Sequence, residues 1–412
     1  MANQENIKMI SFSNAIEIIK KKVKKNKKCE KIKTEYAISR IPIKNYYSKN
    51  SYPEFDNSAM DGVVINENDY CLDQTYKIVD EIKAGDKKSS ELEKNQSKFI
   101  FTGAPIPGKK KKLIIPIEEL KFIEKKLFKI SKYYIPRNFI RQKSSDIKIG
   151  QKIISRNKVM NLRDTLLALR ANQKYIDVIK KINISVIISG DEIISKNNPK
   201  GYITSTNSKV LETFINLFDG NLIEIKYVKD NKEEIKKVVE KLNNHDLLIT
   251  SGGISKGRYD LIKESLLEMN LKILFQGVAI KPGKPTTFGI FKNGTYFLGL
   301  PGNPISCFVT SIFFVNEIIN SFYGNRKNLF VEKKIKSCAN FVNNSKLTLF
   351  LRIKLIRTKN QLSFSPIENQ DSSLNSELSR ADGILVLNSS EKVFKNKMYK
   401  VYMFDRLNLN YI

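Results

Sequence analysis

The chain has 412 residues, of which 41% are hydrophobic, and a formal net charge of +30. This length exceeds what one ordinary hydrophobic core organises and predicts about three domains. No apolar run approaches the ~20 residues of a membrane helix, and residues 1–10 lack a signal-peptide pattern, so we expect a cytoplasmic protein with no membrane partner.

The positive charge raises the question of nucleic-acid binding, because lysine-rich surfaces neutralise phosphates. The lysines, however, are spread along the whole chain. Their densest run, from Lys20 to Lys28, continues an amphipathic pattern and predicts a solvated helix face. Basic and aromatic residues do not alternate in the way that stacks bases. We therefore expect no specific nucleic-acid partner.

Cysteine and histidine offer little chemistry. The four cysteines are far apart without a C-x-x-C pair, and the only histidine is His245. This composition argues against a zinc site and against a histidine-activated nucleophile. Chemistry in this chain would have to rest on carboxylates, lysines and a bound metal.

The first part of the chain alternates between helical and strand-like patterns. A helix is predicted over residues 14–25, with Ser13 or Asn14 as its cap. Short apolar runs separated by turn residues predict a small all-β insert over 52–119. Helical spacing returns over 147–171.

From residue 182 strands and helices alternate. Strands are predicted at 184–188, 222–228 and 247–250, and helices near 208–218, 232–242 and 260–269. This order predicts a doubly wound α/β domain. A long helix is expected over 305–322, and short strands beyond 324 predict a small C-terminal β domain.

Three glycine- and proline-rich turns each follow an apolar run typical of a buried parallel strand. They span 251–257, 281–285 and 300–304. Ligands of parallel sheets bind where strands give way to loops, and glycine lets backbone N–H groups approach an anion. We predict a shared anion site with two lysines as counter-charges, where Asp260 could hold a metal ion. Each turn alone also fits an ordinary strand-to-helix connection, and none has Walker A or dinucleotide spacing.

Further motifs accompany these turns in a fixed order. They are Asn57-Ser58-Ala59-Met60-Asp61-Gly62, Thr102-Gly103-Ala104-Pro105-Ile106-Pro107, Ile140-Arg141 with Asp146-Ile147, Ser189-Gly190-Asp191-Glu192, and Ser205 with Asn207. In this combination the chain resembles the molybdopterin molybdenumtransferase family, the MoeA type also represented by the E domain of gephyrin. The resemblance extends from about Ser13 to Phe404.

The resemblance implies a multidomain α/β fold. Its parts are an elongated helical domain that is split in sequence, an inserted β domain, a doubly wound α/β molybdopterin-binding domain and a C-terminal β barrel. The corresponding ranges are 1–47 plus 147–180, 48–146, 181–326 and 327–412. The resemblance also implies a homodimer in which each active cleft forms between subunits.

The reaction implied is insertion of molybdate into the dithiolene of adenylylated molybdopterin, with loss of AMP and a requirement for Mg²⁺. Both substrates are anionic, so the site needs fixed positive charge and preorganised N–H donors. Lys281 and Lys284 meet that need. Asp61 resembles the family's essential aspartate and would reach the cleft of the neighbouring subunit. The implied catalytic residues are Asp61, Asp191, Asp260, Lys281 and Lys284.

Magnesium prefers oxygen ligands, and the candidates are Asp191, Glu192 and Asp260. The predicted substrate-binding residues are Thr102, Arg141, Ser205, Gly252, Gly253, Ser255, Pro282, Gly283, Pro301, Gly302, Asn303, Arg352 and Ser373. Structural alternatives stay open for several of these residues. Asp191 and Asp260 could be helix N-caps, Asp61 could belong to a plain turn, and Arg352 could be a surface arginine.

Two departures from the family pattern matter. Lys109 to Lys112 occupy a loop that usually carries small and acidic residues, and we expect this loop to be exposed. Ser145 stands where the family has a glutamate. That substitution favours the alternative hypothesis, a non-catalytic binding or scaffold protein with the same fold, whereas the retained aspartates and lysines favour the enzyme.

Overall fold

A computed structural model describes residues 9–72, 74–87, 89–131, 133–190, 193–194, 203–242, 244–252, 261–324, 331–358 and 361–404. Contacts divide the chain into two compact units, one formed by residues 29–179 and the other by residues 1–28 with 180–412. The finer division into four domains stays a prediction.

The α-helices are α1 (Phe12–Lys22), α2 (Leu162–Arg170), α3 (Thr206–Leu217), α4 (Lys232–Lys241), α5 (Leu261–Glu268), α6 (Pro304–Thr310), α7 (Asn316–Phe322) and α8 (Asn375–Ser379). The strands of residues 29–179 are β1 (Cys29–Lys33), β2 (Tyr46–Tyr47), β3 (Asn57–Ser58), β4 (Gly62–Asn66), β5 (Tyr76–Ile82), β6 (Gln96–Ile100), β7 (Lys112–Pro116), β8 (Leu120–Glu124), β9 (Leu127–Ile130), β10 (Ile140–Arg141), β11 (Lys152–Ile154) and β12 (Tyr175–Ile179). The strands that follow are β13 (Asn183–Ser189), β14 (Ile193–Ile194), β15 (Ile203–Thr204), β16 (Asn221–Val228), β17 (Leu247–Ser251), β18 (Leu271–Gln276), β19 (Ile280–Lys281), β20 (Thr287–Phe291), β21 (Tyr296–Leu300), β22 (Val331–Ser337), β23 (Phe341–Val342), β24 (Thr348–Thr358), β25 (Gln361–Pro366), β26 (Gly383–Leu387), β27 (Lys392–Val393) and β28 (Met398–Met403).

The predicted β insert forms a six-stranded mixed sheet in the order β7-β4-β6-β5-β9-β8. Only β5 and β6 run parallel, and the other neighbours are antiparallel. The core on this sheet includes Val63, Tyr76 and Phe128, and the Tyr76 and Phe128 rings stack with centroids 5.4 Å apart. Alternating burial of strand side chains therefore organises this part of the chain.

The rest of the 29–179 unit contains less helix than the spacing of its apolar residues predicts. Strand β1 pairs antiparallel with β12, and β2 pairs with β11. The helical pattern predicted over 147–171 is wrong at 152–154, which form β11, because Ile153 and Ile154 are both buried in a core with Tyr46 of the paired strand. Tertiary pairing overrides local spacing in such short segments. The helix that does form, α2, begins with a reciprocal capping box between Asn161 and Asp164.

In the other unit, six strands form one sheet in the order β16-β13-β17-β21-β20-β18. The first four are parallel, and β20 and β18 continue the sheet antiparallel. Helices α4 and α5 share a core with Ile187, Leu248 and Phe297 on one face. Because strand side chains alternate, the neighbouring residues Val186 and Ile249 face the opposite side, where α3 and α6 contact each other. The doubly wound α/β prediction is confirmed.

Helix α1 starts earlier than predicted. Its cap is Ser11, whose hydroxyl accepts a hydrogen bond from the Asn14 N–H at 3.2 Å, rather than Ser13 or Asn14. The Phe12 ring packs edge-on against Phe313 and Phe350, with centroids 5.6 and 5.2 Å apart. Because Ser11 is the cap, the helix begins at Phe12, and the Phe12 ring packs against the aromatic residues of this unit.

The predicted long helix runs from Pro304 to Phe322 and contains a π-helical segment, Ser311–Val315, between α6 and α7. By length and composition this helix could cross a membrane, although we predicted from the sequence that no apolar run is long enough to do so. Its apolar stretch is 89% buried inside the protein, as in a core helix of a globular domain.

The C-terminal strands close into a barrel. Strand β24 pairs with β25 and β26, β26 pairs with β28, β28 with β22, and β22 with β25. Inward residues such as Ile353, Phe364 and Val401 fill it. This five-stranded barrel confirms the predicted C-terminal β-barrel fold.

Glu91 fixes the lysine-rich loop that precedes β7. Its carboxylate pairs with the Lys112 ammonium group and accepts the Lys109 N–H at 2.7 Å. Lys112 is buried, so the expectation of a fully exposed loop is wrong at this residue, while Lys109 is exposed. These bonds, the Lys112 bond first, lower the pKa of Glu91 from 4.5 to about 2.

We predict that Glu91→Gln reduces stability at neutral pH and flattens its acid dependence. A carboxyl whose pKa falls on folding stabilises the protein above its unfolded pKa, and this contribution is lost as pH falls from 4.5 towards about 2. Urea unfolding of wild type and variant at pH 7 and pH 3 measures the effect. Glu124→Gln, at the exposed end of β8, is the control. Equal pH dependence in wild type and Glu91→Gln would contradict the prediction.

Candidate active site

The motif around Asp61 is assembled from three segments that are distant in sequence. Strands β3 and β10 pair so that Asn57 lies opposite Arg141. Asn57 also bridges to Pro105, and the Gly103 N–H donates to the Ser58 carbonyl at 2.8 Å. Backbone pairing thus brings the predicted residues Asp61, Thr102 and Arg141 to one region of the 29–179 unit.

Asp61 is held by Thr102. The Thr102 N–H donates to Asp61 Oδ1 at 2.7 Å, and the Thr102 hydroxyl donates to the same atom at 2.9 Å. Both bonds favour the charged form, so the pKa of Asp61 lies below its ordinary value. Both residues are exposed. The arrangement presents an ionised carboxylate to solvent, which suits a hydrogen-bond acceptor or an electrostatic role rather than a proton donor.

Ser145 lies in a tight turn after β10. Ser144 has a φ of 62°, and the Ser145 N–H donates to the Gln142 carbonyl at 3.2 Å. The Ser145 side chain is exposed, as is the neighbouring Asp146. Because Ser145 replaces the family glutamate, Asp146 is the acidic side chain that this turn retains.

In the other unit, two of the three glycine-rich turns touch each other at the carboxyl ends of β17 and β21. Gly252 has a φ of +96°, and a Cβ there would lie 2.3 Å from the Ser189 carbonyl oxygen, so only glycine fits. A Cβ on Gly302 would lie 3.3 Å from Gly252 Cα. Gly252 and Gly302 thus form one continuous backbone surface, with Pro301 buried behind it.

Asn303 and Pro304 start helix α6 at this surface. The Asn303 side chain accepts the Ser306 N–H at 3.4 Å, and Pro304 occupies the first helical position. The Asn303 side chain, which we predicted to contact substrate, therefore also caps helix α6.

The third turn, from Lys281 to Pro285, packs against the other end of α6. A Cβ on Gly283, whose φ is +113°, would lie 2.4 Å from Thr310 Cγ2. At 1.5 Å per residue, Asn303 and Thr310 are about 10 Å apart along the helix axis. The predicted shared anion site would therefore span two backbone surfaces, one at each end of this short helix.

The lysine turn itself is well ordered by hydrogen bonds. The Thr286 N–H and hydroxyl donate to the Gly283 carbonyl at 3.1 and 2.7 Å. The Lys281–Pro282 peptide is cis, and β19 pairs in parallel with β24. The side chains of Lys281 and Lys284 are exposed. Two exposed ammonium groups thus extend from a hydrogen-bonded backbone turn.

Arg352 is 1% exposed, so the alternative of a surface arginine is wrong. Its Nη2 donates to the carbonyls of Asn369 and Asp371 at 3.0 and 3.1 Å, and burial lowers its pKa. The Asp371 carboxylate accepts the N–H and hydroxyl of Ser373, both at 2.8 Å. Those bonds lower the pKa of Asp371, and the charges of Arg352 and Lys281 lower it further. Arg352 thus binds the Asp371 carbonyl, Ser373 binds its carboxylate, and the charge of Lys281 acts on the same carboxylate.

Ser205 precedes α3, but its side chain makes no capping bond. Asp191, Glu192, Gly253, Ser255 and Asp260 lie outside the described residues, so their predicted roles remain predictions. Within the described ranges, no three His, Cys, Asp or Glu side chains are grouped in a way that could hold a metal ion.

Three polar residues structure the site without a specific predicted role: Asn207 and Ser251, which the sequence motifs include, and Asp371, which they do not. Asn207 bridges Ser251 and Gly302, and Asp371 anchors Ser373. The available signal was their position beside predicted site residues. Their burial and partners depend on tertiary contacts that no local pattern reports.

Comparison with known proteins agrees with this geometry. Residues 10–171 match the family described as MoeA N-terminal region (domain I and II), and residues 185–321 match the probable molybdopterin binding domain family. A molybdopterin molybdenumtransferase of Haemophilus influenzae is 29% identical over 72% of this chain and 74% of its own length. One from Synechocystis sp. is 26% identical over 94% of this chain and 97% of its own.

Among solved structures, a molybdopterin biosynthesis MoeA protein of Pyrococcus horikoshii superposes with a TM-score of 0.73. It is 25% identical, and the match covers 97% of this chain and 100% of that one. The fold is that of a multidomain α/β protein, and the matched families and relatives support a role in molybdenum cofactor biosynthesis. The chain belongs to the MoeA family.

We predict that Gly283→Ala disturbs the lysine turn more than an equivalent change elsewhere. The new methyl would clash with Thr310 in addition to imposing backbone strain of roughly 1–3 kcal/mol. Gly294→Ala is the matched control, because Gly294 has a φ of +91° and no atom lies within 4 Å of the position that its Cβ would take. Thermal unfolding measures the loss of stability. Calorimetric titration with tungstate, used as an anion in place of molybdate, measures the anion affinity. We expect both variants to lose stability and only Gly283→Ala to lose anion affinity.

Proposed function

We propose that this chain is a molybdopterin molybdenumtransferase, which inserts molybdate into the dithiolene of adenylylated molybdopterin and releases AMP. The observation that carries the proposal is the match to transferases along most of both chains. It is supported by Asp61, Lys281 and Lys284, each of which presents an exposed charge from an ordered backbone. Ser145 is the feature that favours the non-catalytic scaffold, and neither of the two matched transferases supports it.

The cationic side chains of the site would bind the anionic substrates by charge attraction. Molybdate and the pyrophosphate bridge both carry negative charge, and cleavage of the bridge leaves additional charge on AMP. Lys281 and Lys284 would stabilise that charge, helped by backbone N–H groups at the Gly252 and Gly302 surface. Arg352 orders the segment carrying Asp371 and Ser373 beside Lys281.

Asp61 would act as an anionic acceptor at the reacting centre. Its Oδ1 takes both bonds from Thr102, while Oδ2 has no hydrogen bond within the described ranges. That second oxygen is the atom we assign to substrate or to a water that carries a proton away. The lowered pKa of Asp61 keeps it ionised at neutral pH.

Magnesium is part of the proposal as a resident cofactor, with Asp191, Glu192 and Asp260 as its ligands. When bound it would neutralise phosphate charge. The described residues offer no alternative acidic cluster, and the roles of Lys281, Lys284 and Asp61 do not depend on it. Loss of AMP release in EDTA, restored by Mg²⁺ alone, is the expected behaviour.

We further propose a cytoplasmic homodimer. Helix α2 exposes Leu162, Leu166 and Leu169 at 57%, 56% and 45%, an apolar stripe at helical spacing that a second copy of this chain would cover. Cell fractionation should place the protein in the cytoplasm.

The dimer prediction is tested by Leu166→Asp, which puts a charge in the centre of this stripe. We expect the wild type to sediment as a dimer and the variant as a monomer with unchanged circular dichroism. Asn157→Asp adds the same charge at an exposed residue outside the helix and should leave the dimer intact. A monomeric wild type would disprove the proposal.

The function is tested by incubating the protein with adenylylated molybdopterin, molybdate and Mg²⁺ while AMP release and active cofactor are measured. We expect Asp61→Ala to retain substrate binding and to lose most turnover, because this carboxylate acts at the reacting centre. Asp86→Ala is the control, since Asp86 is an exposed aspartate in the same unit that also accepts a backbone N–H, from Lys83 at 2.7 Å. No AMP release by the wild type would rule out the enzyme, and normal turnover by Asp61→Ala would rule out this role.

A further inference from the structure

Asn207 lies in the first turn of α3 and is only 4% exposed. Its Nδ2 donates to the Gly302 carbonyl at 2.7 Å and to Ser251 Oγ at 2.9 Å. A carbonyl oxygen can only accept, so the amide nitrogen must face Gly302. The orientation of this buried side chain is therefore fixed by its partners.

Ser251 extends the same connection. Its hydroxyl accepts from Asn207 and donates to the Pro301 carbonyl at 3.1 Å. The end of β17 and the loop after β21 are thus both tied to the start of α3. Where Gly252 and Gly302 meet, neither residue has a side chain that could set their spacing. The polar junction of Asn207 and Ser251 therefore adds side-chain bonds to the backbone link between these loops, in which the Gly252 N–H donates to the Leu300 carbonyl at 3.3 Å.

The other amide atom, Asn207 Oδ1, is buried and has no hydrogen-bond partner within the described part of the chain. Within the described residues, the amide is therefore held through its donor side alone. What it provides is the pair of donors that fixes two loops of the candidate site.

We propose that Asn207 is a positioning residue of this site, which holds the Ser251–Gly252 and Pro301–Gly302 backbones at the spacing that binds the substrate's phosphate-bearing part. The inference rests on the proposed function for the identity of the ligand. Asn207 acts through the loops, and small displacements of a binding backbone have large effects on productive binding.

The test compares Asn207→Ala and Asn207→Asp with Asn343→Ala. Asn343 is a matched control, because it is fully buried in the C-terminal segment and its Nδ2 also donates to backbone carbonyls, those of Leu347 and Asn388 at 2.8 Å. The Kd of adenylylated molybdopterin is measured without molybdate, and thermal unfolding is measured on the same samples. Binding is thus read separately from turnover, so a wild type that binds without releasing AMP would refute the enzyme and leave this test valid.

We expect Asn207→Ala to raise the Kd about tenfold, as loss of loop positioning would. Asn207→Asp should raise it further, because a carboxylate would face the Gly302 carbonyl and add negative charge beside an anion. Asn343→Ala should lose stability and keep the wild-type Kd. In Ser251→Ala the Kd should also rise, and adding Asn207→Ala to it should have little further effect, since both residues belong to one junction.

An unchanged Kd in Asn207→Ala would overturn the proposal, as would an equal rise in Asn343→Ala. If Asn207→Ala fails to fold, Ser251→Ala decides the question, because it breaks the same junction with a smaller change. A wild-type Kd in that variant would then refute the positioning role.

Discussion

Parallel pairing of β13, β17 and β21 is the constraint on which the candidate site depends. Strands that run in the same direction in one sheet end at the same edge, so Ser189, Ser251 and Leu300 become neighbours despite their separation in sequence. The close approach of Gly252 to Ser189, the contact between Gly252 and Gly302, and the starts of α3 and α6 all follow from that alignment. Helix α6 begins at this edge, and Thr310 at its other end contacts the lysine turn at Gly283.

The parts of the molecule that were predictable from sequence are those encoded locally. Apolar runs with glycine and proline turns indicated the α/β sheet and its loops, and ordered motifs indicated the barrel. The strand at Ile153 and the burial of Arg352 were not predictable, because both depend on partners elsewhere in the chain. Asn207 shows the same limit, since its position beside Ser205 was visible in sequence but its two bonds to distant loops were not.

The two carboxylates beside the predicted substrate residues are anchored by the same device. Asp61 accepts the N–H and hydroxyl of Thr102, and Asp371 accepts the N–H and hydroxyl of Ser373. Neutral donors fix a carboxylate without cancelling its charge. Glu91, in contrast, is bound by a buried lysine and serves stability. A chain with a +30 charge thus keeps ionised carboxylates, anchored by neutral hydrogen-bond donors, at the places where chemistry is expected.

Closure of the C-terminal barrel limits how this protein can associate with other chains. Because β24 pairs with both β25 and β26, and β25 joins β22 over Lys336 and Ser337, each described strand of the ring has a partner strand on both sides. A foreign strand therefore has no strand of the ring with a wholly free edge to join. The sheet of the 29–179 unit, in contrast, ends on one side in β8, four of whose five residues are exposed and whose outer edge pairs with no described strand. Strand addition, and with it the risk of edge-to-edge aggregation, is therefore directed away from the barrel and towards the inserted sheet.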